Sequence, residues 1–181
     1  MKISDFLVQN ASRYPENTAI LYRGQRFTYR ELNDRVNRLA HHFLDLGVRK
    51  GDHVGFMFYN SNQFVELFFA TVKIGALAVP LNYRLVPREV KWALDNTHCK
   101  VFAYGEAVSS QVAPVKKDFQ TVEHLIYSGG NAPLGEYHLE KLTGEGTKEE
   151  PKIEVGYEDE AYLLFTGGDN GNPQNSSAYP S

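Results

Sequence analysis

Residues 53–81 decide the fold: His53-Val54-Gly55-Phe56-Met57-Phe58-Tyr59, then Asn60-Ser61 and the segment Asn62 to Ile74, then Gly75 and Ala76-Leu77-Ala78-Val79-Pro80-Leu81. The first seven residues are mostly apolar and bounded by turn signals, which suits a strand buried on both faces. Asn60 or Ser61 can cap a helix running to Ile74, and Gly75 stands where such a helix ends. That helix is apolar almost all round, so more than one element must cover it. Ala76 to Leu81 is a second apolar strand. Strand, crossover helix and strand in this order specify a parallel pair joined by a right-handed connection.

Outward from this unit the alternation continues. Upstream, Ile3 to Arg13 has a helical apolar face and is stopped by Pro15. Ala19 to Tyr22 and Arg26 to Tyr29 read as short strands around Arg23-Gly24-Gln25. Thr28-Tyr29-Arg30-Glu31 is a capping box, followed by the stripe Leu32, Val36, Leu39, Phe43 and Leu46, with Gly47 as the left-handed stop. Downstream, Pro87 opens a helix to about Asn96, Lys100 to Tyr104 is a strand, and Ala107 to Phe119 is expected to be helical. His124 to Tyr127 is a strand ending in Ser128-Gly129-Gly130. Asn131 to Asp159 is polar and read as structureless, apart from a short helix around Tyr137 to Leu142. Glu160 to Phe165 is the last strand, leading into Thr166-Gly167-Gly168. The expectation is an α/β fold: a doubly wound, mostly parallel sheet with helices on both faces.

Composition narrows the functions. With 42% hydrophobic and 23% charged residues the chain reads as globular rather than disordered. A net charge of -3 gives no footing for nucleic acid or an anionic membrane. The single cysteine, Cys99, excludes an internal disulfide and a multi-cysteine zinc site. The start Met1-Lys2-Ile3-Ser4-Asp5 lacks the pattern of a secretory leader, and the apolar window Phe64 to Ile74 contains Glu66 and Lys73 and is too short to span a bilayer. A cytoplasmic protein is expected.

Few residues suggest chemistry. His41 and His42 are adjacent, and His53, His98, His124 and His138 are scattered, so none has the spacing of a helical metal site. Glu158-Asp159-Glu160 reads as a solvated charge run, and Cys99 as a small buried residue. The exception is Leu163-Leu164-Phe165-Thr166-Gly167-Gly168-Asp169-Asn170-Gly171-Asn172-Pro173, a buried strand entering a loop with three glycines. Glycines let backbone N–H groups turn toward an anion, and ligands in such folds bind beyond the carboxyl ends of strands. The segment is neither a Walker loop nor a dinucleotide fingerprint, since no Gly-Lys-Ser/Thr or Gly-x-Gly-x-x-Gly is present.

The run Phe165-Thr166-Gly167-Gly168-x-x-Gly171-x-Pro173 resembles the phosphate-loop signature of the adenylate-forming (AMP-binding) family of acyl-CoA synthetases, peptide-synthetase adenylation domains and luciferases. Tyr14 to Ile20, Phe27 to Leu32, Gly47 to Val54 and Gly75 to Leu85 are similar to other segments of that family, in the same order. The resemblance implies ATP-dependent activation of a carboxylic acid, with magnesium on the phosphates and coenzyme A as final acceptor. Thr166, Gly167, Gly168 and Gly171 would hold the β- and γ-phosphates, and no catalytic or metal-ligating residue is assigned in this chain. It further implies that residues 1–168 are a partial amino-terminal AMP-binding domain and 169–181 a degenerate phosphate loop with a disordered tail. Adenine, ribose and acyl contacts are expected downstream in the family, so the chain by itself is expected to be inactive.

Three departures stand inside the signature: Asp169 and Asn170 replace hydroxyl residues, and Gln174 replaces a lysine. An aspartate beside a phosphate costs about 4 kcal/mol for unit charges 4 Å apart at an effective dielectric of 20. Two other readings are a non-catalytic binding or scaffold module and an unrelated mononucleotide-binding domain. A strand left unpaired at residues 160–165 also leads to the expectation of a homodimer or larger assembly.

Overall fold

The computed structural model describes residues 2–167 and 173–177. The strand-helix-strand unit is present as β3 (His53–Met57), α3 (Asn62–Lys73) and β4 (Leu77–Pro80), preceded by α1 (Ile3–Arg13), β1 (Thr18–Tyr22), β2 (Gln25–Thr28) and α2 (Tyr29–Asp45). After it come α4 (Pro87–Asn96), β5 (Cys99–Gly105), α5 (Ser109–Val112), β6 (His124–Ser128), β7 (Tyr137–His138), α6 (Leu139–Gly144), β8 (Leu163–Gly167) and β9 (Pro173–Ser177). The main sheet has the order β4-β3-β5-β6-β7 and every pair is parallel.

Side chains alternate along each strand, so one strand feeds two cores. Val101 and Ala103 join Val54, Phe56 and Ile126 beneath α1, α2, α3 and α6, while Phe102 and Tyr104 join Met57, Val79 and Tyr127 beneath α4 and α5. Helices on both faces of a parallel sheet make the fold the doubly wound α/β architecture expected from the strand and helix order. Gly55 is required by this packing, because a Cβ there would lie 2.6 Å from Leu94 Cδ2 and 3.1 Å from Cys99 Sγ.

Local signals act as their chemistry dictates. Thr28 Oγ1 accepts from the Glu31 N–H at 3.1 Å, and Glu31 Oε2 accepts from the Thr28 N–H at 2.8 Å. The backbone hydrogen bond from Thr28, followed by its hydroxyl, holds the Glu31 carboxyl below its ordinary range. Ser61 caps α3 through the Phe64 N–H at 3.3 Å. Arg23 and Gly24, both at positive φ, close the two-residue turn between β1 and β2.

Two expectations need correction. The helix expected at Ala107 to Phe119 is broken into two single-turn 3-10 segments, Glu106–Val108 and Lys116–Asp118, around the short α5. Pro114 has no N–H to continue the ladder. The polar run Asn131 to Asp159 is not structureless. Besides the short helix expected there, which is α6, it contains β7, and residues 145–161 lie across the polar edge of α2 and α3 in a web of hydrogen bonds. Polarity there marks ties between segments at a surface that remains largely open to solvent.

The strand expected at Glu160 to Phe165 is β8, met by an isolated parallel bridge between Ala78 and Tyr162, with the Ala78 N–H donating to the Ala161 carbonyl at 3.0 Å. Pro173–Ser177, which spans the end of the signature and the residues after it, pairs antiparallel with β8 as β9. Among the described residues no helix is long and apolar enough to cross a membrane.

Candidate functional site at the carboxyl edge of the sheet

The chain leaves β3 toward α3 on one face and leaves β5 toward α5 on the other, while β4 and β6 lie on opposite sides of this pair. The crevice between β3 and β5 is therefore the point where the winding reverses, the position that binds ligands in open α/β sheets. An open cleft lies there, reached by Phe58, Tyr59, Gly105, Glu106, Ser128 and Glu140, with Arg23 and Gln63 at its rim. Its electrostatics are acidic. The Ser128 hydroxyl donates to Glu140 Oε1, and Glu140 Oε2 sits 3.1 Å from His138 Nδ1. Burial, then the neighbouring Glu106 carboxylate, pushes the Tyr127 phenol above its ordinary value. Behind this edge the Tyr104 hydroxyl donates to Glu136 Oε2 at 2.6 Å while Lys116 Nζ meets Glu136 Oε1 at 2.5 Å, which pins two loops together. Burial is the main reason, and the Glu136 hydrogen bond the second, for a phenol at Tyr104 that is far harder to ionise than usual.

Next to the cleft, the loop after β4 carries Asn82, Tyr83 and Arg84. The Tyr59 and Tyr83 rings lie 4.3 Å apart, the Arg84 guanidinium sits 5.5 Å from the Tyr83 ring, and Asn82 Oδ1 accepts from the Arg84 N–H at 3.0 Å. The sequence reading did not single out Tyr59, Tyr83 or Arg84 as site residues. Their only signal was position, directly after the carboxyl ends of β3 and β4.

β8 runs parallel to β4, so Thr166 and Gly167 reach the same edge of the molecule as this loop. Leu163 and Phe165 pack on the α4 side, with the Trp92 and Phe165 rings 5.9 Å apart. Gly167 pairs with Pro173, and Gln174 stands in β9 opposite Thr166. Gly168, Asp169, Asn170 and Gly171, which connect the two strands, lie outside the described residues.

No group of three or more His, Cys, Asp or Glu side chains that could hold a metal is present among the described residues. Five of the six histidines meet backbone carbonyls: His41 and His42 those of Glu149 and Glu145, His53 that of Thr97, His124 that of Leu46, and His138 those of Gly129 and Gly130. Cys99 is fully buried, and that burial pushes its thiol up to about 12. Within residues 158–160, Asp159 is tied to Lys50 at 2.5 Å and accepts from the Gly156 N–H at 2.6 Å.

A model of the AMP-binding enzyme family matches residues 7–174. The chain belongs to that family. The 3-oxocholest-4-en-26-oate–CoA ligase of Rhodococcus rhodochrous is 30% identical over 179 residues, which is 96% of this chain and 32% of the ligase. The long-chain-fatty-acid–CoA ligase FadD13 of Mycobacterium tuberculosis (strain CDC 1551 / Oshkosh) is 33% identical over 151 residues, 82% of this chain and 29% of the ligase. A fatty acyl CoA synthetase of M. tuberculosis superposes with a TM-score of 0.86 at 28% identity, covering 98% of this chain and 34% of that one. The anthranilate CoA ligase AuaEII, solved with anthranoyl-AMP, gives a TM-score of 0.92 at 23% identity over 97% of this chain and 34% of its own, which speaks to the fold alone. The AMP-binding chain thus spans about a third of the length of the relatives it matches.

Proposed function

We propose that this chain supplies the phosphate-loop-bearing amino-terminal part of an ATP-dependent acyl-CoA ligase. In that reaction a carboxylate oxygen attacks the α-phosphorus of ATP, and the bond to the bridging oxygen breaks as pyrophosphate leaves. The thiolate of coenzyme A then attacks the acyl carbon and expels AMP, giving a thioester. The observation that carries the reading is the placement of Thr166-Gly167 at the edge shared with the switch-point cleft, in a family match that runs to residue 174. Thr166, Gly167, Gly168 and Gly171 are the residues proposed to hold the β- and γ-phosphates, the glycines offering backbone N–H groups without a Cβ in the way. Magnesium would arrive with the nucleotide rather than on a protein cage, as befits an ion that prefers a few carboxylates plus phosphate oxygens. Positioning and charge neutralisation supply most of such chemistry, and one loop gives little of either. The chain alone is therefore expected to be inactive.

The test is a chimera in which residues 1–174 replace the matching third of the R. rhodochrous ligase. Acid-dependent pyrophosphate release by the chimera, with none above background from the 181-residue chain, supports the reading. A folded chimera that binds neither ATP nor pyrophosphate overturns it. Asp169 and Gln174, which stand where the family carries a hydroxyl residue and a lysine, favour a second reading as a non-catalytic binding module. A soluble cytoplasmic enzyme of fatty-acid metabolism is the proposed setting. A homodimer or larger species is the proposed state, to be checked by light scattering over a dilution series.

A further inference from the structure

We infer that Lys73 and Glu150 are positioning residues: they fix a strap, residues 145–161, and through it the place where β8 meets the sheet. The strap has neither helix nor strand of its own, and sixteen such peptide units could span on the order of 50 Å if free. Its path is set by side chains of α2, α3 and the turn before β3. Asn37 Nδ2 donates to the Lys148 carbonyl at 2.9 Å, and His42 and His41 meet the carbonyls of Glu145 and Glu149 at 3.2 and 3.0 Å. Lys50 Nζ reaches the Glu154 carbonyl at 3.3 Å and the Asp159 carboxylate at 2.5 Å.

Glu150 is the centre of this web. Lys73 Nζ, its side chain 2% exposed, donates to Glu150 Oε2 at 2.5 Å and to Asn33 Oδ1 and Asn37 Oδ1 at 2.7 Å each. The amides of the same two asparagines donate to Glu150 Oε1 at 2.7 and 3.0 Å. All three ammonium donors are used, and one carboxylate closes the cluster. A buried ammonium without that carboxylate is costly, so the cluster favours one register of the strap over its neighbours.

What the strap delivers is β8. β8 and β9 form a sheet of their own, and β8 meets β4 at an isolated bridge immediately after the strap ends, where the Ala78 N–H donates to the Ala161 carbonyl. β8 lies at the margin of the main sheet, where Tyr162, Leu163 and Phe165 pack on its two cores, and marginal segments open locally at lower free energy than inner strands, so anchoring upstream governs how often β8 is docked. Because α4 packs on β8 through Trp92 and Phe165, and Trp92 is the only tryptophan, the docking has its own optical signal. The inference concerns where β8 sits and stands whether or not the following loop binds a phosphate.

Glu150→Ala in the 181-residue chain tests it by hydrogen exchange and Trp92 emission. The expected result is exchange of the Ala78 amide faster by about tenfold, with a red-shifted Trp92 emission. The Leu81 amide, which donates to the Phe56 carbonyl, and the β5 amides should keep their protection. Glu150→Gln, which keeps an acceptor for Lys73, should fall between the two. Lys73→Met should also release β8 while α2 and α3 stay packed, and if that variant does not fold, Glu150→Ala decides alone. Unchanged protection at Ala78, or an equal loss throughout the sheet, would overturn the assignment and leave the cluster with a general stabilising role.

Discussion

Ser128-Gly129-Gly130 and Thr166-Gly167-Gly168 look alike in sequence: each is a hydroxyl residue and two glycines at the end of a strand. Their surroundings differ. β6 is an inner strand, laddered to β5 on one side and β7 on the other, whereas β8 touches the main sheet at an isolated bridge. Ser128 is turned into the protein toward Glu140, and the carbonyls of Gly129 and Gly130 face His138 Nε2 at 3.2 and 2.8 Å. A Cβ on Gly129 would lie 2.5 Å from Tyr127 Oη and 2.8 Å from Glu106 Cβ. That first loop is tightly packed at Gly129 and faces the carboxylates of Glu106 and Glu140, whose charge opposes an anion there. A glycine pair after a strand therefore means a tight approach in one case and, on our proposal, a phosphate cradle in the other.

The largest effect should come from the strands that carry the two loops. Ile126 in β6 is fully buried, so Ile126→Ala is expected to cost about 2–5 kcal/mol. Phe165→Ala in β8 should cost about 1–2 kcal/mol and move the Trp92 emission, which Ile126→Ala should not do before unfolding. Urea unfolding followed by circular dichroism and by fluorescence checks both. Equal costs would mean that β8 is as integral to the fold as β6.

A sharper form of the comparison lies within one loop. Gly129→Ala forces a methyl into Tyr127 and Glu106 and is expected to cost about 1–3 kcal/mol. Gly130→Ala meets nothing within 4 Å and should stay within about 0.5 kcal/mol of the parent. Thermal unfolding of the pair gives the difference directly, and a neutral Gly129→Ala would remove the tight-approach explanation.

Most of the fold was legible because its signals are local. The Thr28-Glu31 box, the Ser61 cap and the apolar runs of β3, β4 and β5 act over a few residues. What was illegible depends on distant partners. Asn33, Asn37, His41 and His42 form a polar helix face that reads as solvent-exposed, yet each meets residues more than 100 positions away. Lys73, noted only as a charge in an apolar window, is a buried ammonium, and nothing in its neighbourhood names Glu150. At the site the glycine loop was visible, while Tyr59, Tyr83 and Arg84 needed the sheet order to bring them to one edge.

The strap beneath β8 should also respond to pH, where the loop after β6 has no such support. Burial opposes ionisation of Glu150, but the hydrogen bonds from Lys73, Asn33 and Asn37 outweigh it and hold the carboxyl below its ordinary value of 4.5. A depressed carboxyl contributes stability that is whole above that unfolded value and is lost as pH falls through the folded one. Glu150 is 42% exposed, so after screening the contribution is expected to be about 1–2 kcal/mol. The stability gap between the parent and Glu150→Gln should be widest near neutrality, begin to narrow near the ordinary value of 4.5, and close as pH falls through the lower folded value. A gap that stays constant through that range would show that the carboxylate's charge has no part in it.

The smallest expected effect concerns the second loop itself. If Gly167, Gly168 and Gly171 form a cradle, Asp169 opposes an anion in it and Gln174 offers no charge, so Asp169→Thr with Gln174→Lys should strengthen binding of inorganic pyrophosphate. Two charge changes near a solvated anion are each worth about 1 kcal/mol at 4 Å in water, and less as salt is added. The expected gain is therefore about fivefold for each change and up to about thirtyfold for the pair at low ionic strength, shrinking steadily toward physiological salt. Calorimetric titration at two salt concentrations measures it, with Glu106→Gln as a control, since the first loop is not an anion site and that change should leave the affinity where it was. A double variant that binds no better than the parent at low salt would mean that the resemblance to β6 is complete, and that the glycines after β8 also serve only a turn.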